Sequence, residues 1–412
     1  MGVVVKKSSL LVVRPPEPLT TTAITNLSPY DKQVMSMPVT MFLVFDRPIH
    51  EPAQTIERTL SKALVHYLPM SGRVDAAGLS ITRTGEGVSF VAATASCALE
   101  DVKFFPQLVD ELAIYYPEEY CGVDDPLLMM QVTEFSCGGF VMGVTWNHVI
   151  ADAAGMGQFL QAVGELARGL SSPSVVPVRL DDLLTGVPPS IDGFAELMTS
   201  LQPIEMAVLD ITVPSRIIKS IKDEYRVYSK GSLPCSTFEA VTAVLWQCRT
   251  RAIALSNPEE ESVAICITVN ARKYVAARDG YYGNCVTGSL VVATGDAVAN
   301  GPLMDVVEMI QRAKSQIADQ YNKGAAVEHV GSLVGYNLFV VSCWRNLGLE
   351  EVDFGGGRPV RVTSYIPERF RLPVCLPCLP CQGTDGGSNV LSACVTKEHA
   401  GAFLGELSAR FN

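Results

Sequence analysis

Residues 142–159 read MGVTWNHVIADAAGMGQF, and this stretch decides the fold. An apolar run typical of a buried strand ends at His148, and Asp152 follows four positions later. The next segment, AAGMGQFLQAVGELARGL, repeats its apolar residues every 3.6 positions, which indicates an amphipathic helix. We therefore predict that His148 lies where a central strand passes into a helix. Nearby glycines leave room for close approach, and a base at a strand end is within reach of a substrate.

Strand-like and helix-like segments alternate on both sides of this stretch, which indicates an α/β protein. The predicted strands are SLLVVRP, VTMFLVF, LLMMQVTEF, GGFVMGVTWNHV, EMAVLDITV, SVAICITVN and SNVLSACVT. The predicted helices are AQTIERTLSKALVHYL, SRIIKSIKDEY, CSTFEAVTAVLWQCRTRAI, with Ser236 or Thr237 as its N-cap, and KEHAGAFLGELSARF. Residues 170–204 are rich in Pro, Ser and Gly without sustained periodicity, so we predict a linker there.

Composition limits the classes of function. The 412 residues are 48% apolar and 18% charged, with a mean hydropathy of +0.23, so the chain is globular and long enough for two domains. A net charge of −11 without a basic stripe argues against nucleic acid as a partner. No apolar run approaches the roughly 18–20 residues of a membrane helix, and KKSSLLVVRPPEP lacks the features of a secretory signal. We expect a cytoplasmic monomer with no membrane association.

The chain has twelve cysteines, and they are expected to stay reduced because we expect the protein to be cytoplasmic. The stretch CLPCLPC places Cys375, Cys378 and Cys381 at CxxC spacing, which zinc and iron–sulfur sites also use. The repeated Leu-Pro favours an extended strand or a turn, and no fourth ligand stands at a matching spacing. Buried thiols are therefore the expected state, with no metal.

Of the histidines His50, His66, His148, His329 and His399, only His148 has an acid four residues on. An isolated histidine is more often bonded to backbone than catalytic, but the setting of His148 favours a general base. The chain lacks the G-x-S-x-G, G-x-x-x-x-G-K-[ST] and H-E-x-x-H patterns, and no G-x-G-x-x-G follows a strand. A base without a protein nucleophile suits direct transfer to a bound acceptor.

HVIAD, from His148 to Asp152, resembles the HxxxD signature of the plant BAHD acyl-CoA-dependent acyltransferases. DFGGG, from Asp353 to Gly357, resembles their second signature, DFGWG, with Gly356 in place of the usual Trp. Further blocks resemble the family in the right order along the whole chain: LSPYD (27–31), YLPMSGR (67–73), STFEAVTAVLW (236–246), VNARK (269–273), YYGNCV (281–286) and SCW (342–344). The N-terminal blocks are similar to those of grass members.

The resemblance implies a fold of two chloramphenicol-acetyltransferase-like α/β domains with mixed sheets, joined by a crossover loop, with an active-site tunnel at their interface. It places an N-terminal domain with HxxxD at 1–175, the crossover linker at 176–210 and a C-terminal domain with DFGGG at 211–412. It implies acyl-CoA as co-substrate, with no permanently bound cofactor, and a small alcohol or amine as acceptor. Donors in the family include acetyl-, malonyl-, benzoyl- and hydroxycinnamoyl-CoA, and the similarity to grass members favours an aromatic donor, benzoyl- or hydroxycinnamoyl-CoA.

The resemblance also implies a role for each matching residue. His148 would be the general base and Asp152 would pair with Arg272 to fix the turn; a catalytic dyad of His148 and Asp152 is the alternative. Ser342, Trp344 and Tyr30 would line the active site, the first two as oxyanion donors or, for Trp344, as core packing. Asp353, Gly355 and Gly357 would form a supporting loop, which Gly356 would loosen. Ser236, Thr237 and Arg358 are candidate CoA contacts.

Two other readings stay open. A non-catalytic relative that binds acyl-CoA is favoured by Gly356 and opposed by the intact His148 and Asp152. A hydrolase is weakened by the missing nucleophile pattern. Transfer to a hydroxyl and transfer to an amine are both compatible with the residues, because the shape of the pocket decides between acceptors.

Overall fold

The structure is a computed structural model, and it describes residues 4–17, 23–34, 36–101, 106–179, 200–231, 233–253, 261–323, 335–381 and 386–412. The chain divides into two compact units, each built from three separate stretches. Unit 1 comprises Met1–Thr185, Val275–Cys285 and Asn346–Tyr365, and unit 2 comprises Gly186–Tyr274, Val286–Arg345 and Ile366–Asn412.

The secondary structure of the described residues mixes strands and helices along the whole chain. The strands are β1 (Val5–Lys7), β2 (Leu11–Val13), β3 (Ala23–Asn26), β4 (Pro38–Phe45), β5 (Arg73–Val74), β6 (Ser80–Arg83), β7 (Val88–Ala95), β8 (Leu128–Glu134), β9 (Phe140–Asn147), β10 (Ile204–Glu205), β11 (Leu209–Val213), β12 (Ser262–Asn270), β13 (Val286–Thr294), β14 (Leu338–Val341), β15 (Arg361–Ser364), β16 (Arg369–Phe370), β17 (Val374–Cys378) and β18 (Ser388–Ala393). The helices are α1 (Pro29–Gln33), α2 (Pro52–His66), α3 (Pro106–Val109), α4 (Ala153–Ala167), α5 (Ser215–Tyr228), α6 (Thr237–Ala252), α7 (Gly295–Ala299), α8 (Leu303–Lys323) and α9 (Ala400–Phe411).

Unit 1 is organised around a mixed sheet whose strand order is β1-β7-β8-β9-β4-β15, with β2 also paired to β7. The β7–β8 pair is parallel, while β8–β9, β9–β4 and β4–β15 are antiparallel. All eight residues of β9 are buried, as expected for an apolar strand inside a sheet. Helix α2 packs on α4 and contacts β7 and β8. The strand that leads to His148 is therefore a central core strand, as the sequence predicts.

Unit 2 has its own mixed sheet, with strand order β11-β18-β17-β14-β12-β13. Strand β14 is parallel to β12 and to β17, and the other pairs are antiparallel. Helix α6 is buried over almost its whole length and contacts α8 and α9. The two mixed α/β units agree with the predicted fold class. Within the described part of the chain, none of the helices combines the length and the apolar character needed to cross a membrane.

The structure corrects the predicted domain assignment of Asp353 to Gly357. These residues belong to unit 1, not to the C-terminal domain, because the segment that follows them forms β15 and pairs with β4. The stretch Val275–Cys285 joins unit 1 in the same way. Much of the predicted linker, residues 180–199, lies outside the described residues, as does His329, so the linker boundaries stay predictions.

The first part of the cysteine-rich stretch, CLPC from Cys375 to Cys378, lies in the strand β17, and an extended strand is one of the two alternatives that the Leu-Pro repeat predicts. Cys381 lies beyond the strand and is half-buried. Cys375 and Cys378 are buried in β17, and burial raises the pKa of the Cys375 thiol well above its usual range. Among the described residues, no group of three or more His, Cys, Asp or Glu side chains could hold a metal ion.

Candidate active site

The chain turns sharply where β9 ends, and His148 stands at this turn. His148 begins a single 3₁₀ turn, which connects β9 to α4. Asn147 caps the turn by accepting the N–H of Val149 at 3.1 Å, and the N–H of His148 donates to the carbonyl of Met37 at 2.7 Å. The His148 ring is half-buried, whereas Val149 is buried. The turn therefore fixes the backbone of His148 and leaves part of its ring accessible.

The ring of His148 is held through one nitrogen. Its Nδ1 lies 2.9 Å from Oδ1 of Asn284, a buried residue 136 positions later in the sequence. The Nδ2 group of Asn284 donates to the carbonyl of His148 itself at 2.8 Å. Asn284 thus forms hydrogen bonds with both the side chain and the backbone of His148. Because Nδ1 is engaged by Asn284, proton exchange at this ring would use Nε2.

Both carboxylate oxygens of Asp152 accept hydrogen bonds from the backbone. Asp152 is the N-cap of α4: its Oδ1 accepts the N–H of Gly155 at 2.9 Å, and its Oδ2 accepts the N–H of Cys285 at 3.0 Å. Each carboxylate oxygen therefore binds a backbone donor, which supports the reading that Asp152 fixes the turn after His148. Arg272 contacts Asn270, whose Oδ1 accepts its backbone N–H at 3.0 Å. The pairing of Asp152 with Arg272 stays a prediction.

Asn284 is hydrogen-bonded to one member of a buried ion pair, Asp31. The guanidinium Nη2 of Arg179 is 3.0 Å from Oδ2 of Asp31, and the two side chains are 4% and 0% exposed. Oδ1 of Asp31 accepts from Nδ2 of Asn284 at 2.8 Å, and Oδ2 also accepts from the N–H of Ser28 at 2.9 Å. A continuous series of contacts therefore links Arg179 to His148. It runs through the ion pair with Asp31 and then through the hydrogen bonds of Asn284.

Sequence reasoning assigned no role to Asp31, Arg179 or Asn284. Asp31 had a local signal, because Ser28 and Asp31 have the spacing of a helix capping box, and the structure contains that box. Asn284 had none beyond its place in the YYGNCV block, since its partner is distant in sequence. Arg179 falls inside the predicted linker, where a buried charge was not expected.

The loop Asp353–Gly357 is stabilised by a single carboxylate. Oδ1 of Asp353 accepts the N–H of Gly355 at 2.7 Å and the N–H of Gly357 at 2.9 Å. Both glycines have positive φ, +108° and +112°, which other residues rarely adopt. The carbonyl of Asp353 accepts from Arg168 at the end of α4. This loop is thus tied to the helix that follows His148, which supports the predicted supporting role.

Gly356 packs closely against a neighbouring segment, and its predicted effect on the rigidity of the loop stays a prediction. A Cβ added to Gly356 would lie 2.8 Å from Cγ2 of Ile49 and 3.2 Å from the carbonyl oxygen of Pro48. The segment that ends at Ile49 therefore fills space that a larger side chain at position 356 needs. The side chain of Ile49 and the carbonyl oxygens of Arg47 and Pro48 therefore pack against Gly356.

The three candidate CoA contacts have partners of their own. Ser236 and Glu239 form a capping box at the start of α6, so the hydroxyl of Ser236 accepts the N–H of Glu239. Thr237 accepts a hydrogen bond from Lys222 at 2.8 Å. Arg358 is 62% exposed and forms an ion pair with Glu351. The carboxylate of Glu239 at the start of α6 disfavours the binding of a second anion at that helix end. The CoA contacts stay a prediction.

The predicted active-site lining residues fall in both units. Tyr30 is buried in α1 of unit 1. Ser342 and Trp344 follow β14 in unit 2, where the hydroxyl of Ser342 accepts from that of Thr268 at 3.0 Å. The backbone N–H of Trp344 donates to the carbonyl of Pro377 at 2.8 Å, and its side chain is largely buried. Their catalytic roles stay predictions.

Curated relatives match the chain over most of its length. "Acyl transferase 15" of Oryza sativa subsp. japonica is 43% identical and covers 99% of both chains. "Myricetin 3-O-glucosyl 1,2-rhamnoside 6'-O-caffeoyltransferase AT1" of Crocosmia x crocosmiiflora is 34% identical, again over 99% of both. "Benzyl alcohol O-benzoyltransferase" of Nicotiana tabacum is 30% identical over 90% of both.

Solved structures share the fold. Vinorine synthase superposes with a TM-score of 0.77 at 17% identity, over 99% of both chains. TRI101 of F. sporotrichioides, complexed with coenzyme A and T-2, gives a TM-score of 0.71 at 17% identity and covers 94% of this chain and 97% of that one. The family described as "Transferase family" matches residues 3–408. With the HxxxD histidine at its strand end, the chain belongs to this family as a plant BAHD acyl-CoA-dependent acyltransferase.

Proposed function

We propose that this enzyme transfers an aromatic acyl group, benzoyl or hydroxycinnamoyl, from its CoA thioester to the hydroxyl or amine of a small acceptor of plant specialised metabolism. His148 is the general base. The observation that carries the proposal is the half-buried ring at the end of β9, held through Nδ1 by Asn284 at 2.9 Å. A base held this way presents Nε2 in a constant direction, which general-base catalysis requires.

The reaction needs no covalent enzyme intermediate. Nε2 of His148 accepts the proton of the acceptor hydroxyl or amine as that group attacks the thioester carbon. The tetrahedral oxyanion that forms needs hydrogen-bond donors, for which Ser342 and Trp344 are the candidates. Collapse breaks the carbon–sulfur bond, and the imidazolium returns its proton to the CoA thiolate. The products are the ester or amide and free CoA.

The choice of an aromatic donor has two supports. A caffeoyltransferase and a benzoyltransferase are among the full-length or nearly full-length relatives at 30% identity or more. The N-terminal blocks are also similar to those of grass members, and a rice acyl transferase is 43% identical. The named relatives transfer to sugar hydroxyls and to an alcohol, so we favour a hydroxyl acceptor and test amines beside it.

The decisive experiment incubates the purified enzyme with acetyl-, malonyl-, benzoyl- and hydroxycinnamoyl-CoA, each against pooled alcohols and pooled amines. Free thiol release is measured with and without each pool, and mass spectrometry identifies the acylated product. We expect release that depends on an acceptor and is largest with aromatic donors. Release that is equal without any acceptor indicates a hydrolase, and preference for acetyl- or malonyl-CoA contradicts the aromatic donor.

The same assay tests His148. His148→Ala removes the base, and loss of general-base catalysis typically costs ~10²–10⁴-fold in rate. His399→Ala is the matched control, because His399 is also half-buried and bonded, to the hydroxyl of Tyr336 at 2.9 Å. We expect the control to keep its turnover. If folded His148→Ala retains more than about a tenth of wild-type turnover, His148 is not the general base.

A further inference from the structure

Asn284 is surrounded by groups that dictate its orientation. Its Nδ2 lies 2.8 Å from Oδ1 of Asp31, 2.8 Å from the carbonyl oxygen of His148 and 3.3 Å from that of Val149. Its Oδ1 lies 2.9 Å from Nδ1 of His148. Asn284 is 2% exposed, so these protein groups, rather than bulk water, determine how the amide is turned.

The two ends of an Asn amide are not equivalent. A half-turn about the last side-chain bond exchanges the oxygen, which only accepts hydrogen bonds, with the nitrogen, which only donates them. The three groups around Nδ2 are a carboxylate and two carbonyls, all of which only accept. A turned amide therefore places its oxygen against three acceptors, and buried acceptors left without donors are costly. One orientation is strongly preferred.

The carboxylate of Asp31 is paired with Arg179. The carboxylate and the guanidinium are 3.0 Å apart and almost fully buried, so the negative charge of Asp31 has a fixed counter-charge. The backbone N–H of Ser28 donates to the same carboxylate at 2.9 Å. Asp31 thus presents an ionised oxygen to Nδ2 of Asn284.

The orientation of Asn284 determines the proton position on His148. Because Oδ1 only accepts, Nδ1 of His148 must carry the hydrogen that joins them. A neutral imidazole has one N–H, so its second nitrogen then carries a lone pair. We propose that Asn284, locked by the Asp31–Arg179 ion pair, is a positioning residue that holds His148 as its Nδ1–H tautomer, with Nε2 as the basic atom.

This inference rests on the proposed role of His148 as general base, but its first test does not require activity. Protein labelled with ¹⁵N in its histidine rings is studied by long-range ¹H–¹⁵N NMR without substrate, and His148→Ala identifies the His148 signals. We expect the pattern of a single Nδ1–H tautomer for the neutral ring. An Nε2–H pattern, or an averaged mixture of both tautomers, overturns the proposal. Whether or not His148 proves to be the base, this spectrum decides the tautomer.

Variants test the cause. Asn284→Ala removes the amide, so we expect the His148 signals to average between tautomers and kcat to fall about tenfold to hundredfold, with the KM for acyl-CoA changed less than about threefold. Asp31→Asn allows Asn284 to turn, so it should also mix the tautomers. Asn389→Ala is the matched control: Asn389 is buried and donates to Asp210 at 3.4 Å, and its loss should leave the His148 spectrum unchanged.

The outcomes are separable. If folded Asn284→Ala keeps a single Nδ1–H pattern and wild-type kcat, Asn284 is not the positioning residue. If Asn284→Ala loses stability while the His148 spectrum stays intact, its role is structural and the proposal fails. If Asn284→Ala does not fold, the wild-type spectrum and Asp31→Asn still decide the tautomer and its cause.

Discussion

Gly356 and Ile49 are in such close contact that a Cβ on the glycine would lie 2.8 Å from Cγ2 of the isoleucine. The family usually carries Trp at this position, and in this chain the segment from Arg47 to Ile49 occupies the space instead. The loop of Asp353 is therefore closely packed at the glycine. The departure from the family pattern is a difference in packing at position 356, and His148 keeps its contact with Asn284.

Gly356→Trp is expected to destabilise the protein, because overpacking a filled site typically costs ~1–3 kcal/mol. The thermal midpoint should fall, while turnover of the folded protein stays within a few-fold of wild type. Adding Ile49→Ala removes the nearest obstacle and should recover part of the lost stability. If Gly356→Trp is as stable as wild type, the space is not filled as the structure indicates.

Asp152→Ala removes an N-cap and leaves the N–H groups of Gly155 and Cys285 without their acceptor. Loss of an N-cap alone typically costs ~0.5–2 kcal/mol, so urea unfolding should show a clear loss of stability together with activity. Asp152→Asn keeps one acceptor oxygen and should fall between wild type and alanine. If Asp152→Asn is fully stable yet inactive, a direct catalytic role for Asp152 is the better interpretation.

The predicted pairing of Asp152 with Arg272 is tested by combining Arg272→Ala with Asp152→Ala. A buried pair broken on one side typically loses ~3–5 kcal/mol, and the second substitution then adds little. Urea unfolding of the two single variants and the double variant measures this coupling. Strictly additive losses contradict the pairing.

Arg179→Ala should be strongly destabilising, because it leaves the carboxylate of Asp31 buried without its counter-charge. Such a loss is typically ~3–5 kcal/mol. The control is Arg312→Ala: Arg312 is 2.7 Å from Glu308, but the side chains are 70% and 36% exposed, and surface pairs contribute ~0–1 kcal/mol. Equal losses in urea unfolding from the two substitutions would mean that the Asp31–Arg179 pair is not buried as described.

Glu239 gives the stability a dependence on pH. Burial acts to raise the pKa of this carboxyl group, but the hydrogen bond and charge of Lys314, with the N–H of Ser236, hold the pKa below its usual value of 4.5. The stabilisation is fully present above pH 4.5 and is lost as the pH falls through the lower folded pKa. Glu239→Gln should be less stable than wild type at pH 7, and the difference should shrink below pH 4.5. A difference that stays constant with pH contradicts this role.

The sequence predicted the elements whose signals are local. The strands β4, β8, β9 and β12 and the helices α2, α4 and α6 follow from continuous apolar runs or 3.6-residue periods, and they appear within a few residues of their predicted bounds. The place of His148 at the end of β9 follows from the same patterns. Such features depend on neighbours along the chain, so one sequence is enough to reveal them.

The sequence did not predict features that depend on distant partners. No local pattern links Asn284 to His148, 136 residues away, or a Gly at 356 to Ile49. The assignment of Asp353 to the C-terminal domain was wrong because the pairing of β15 with β4 is invisible in either strand alone. Arg179 was missed because a Pro- and Ser-rich composition does not reveal one buried charge.

Unit 1 is completed by a segment that comes late in the chain, Asn346–Tyr365, and this has a consequence for biosynthesis. Ser364 donates to the carbonyl of Thr40 at 2.8 Å across 324 residues of sequence, and strand β15 covers the free edge of β4. Until that segment leaves the ribosome, the nascent chain presents a long apolar edge strand, the kind of surface that promotes aggregation. Such high contact order also predicts slow folding. Any truncation before residue 361 therefore leaves the sheet that carries His148 unfinished, and a soluble N-terminal half is not to be expected.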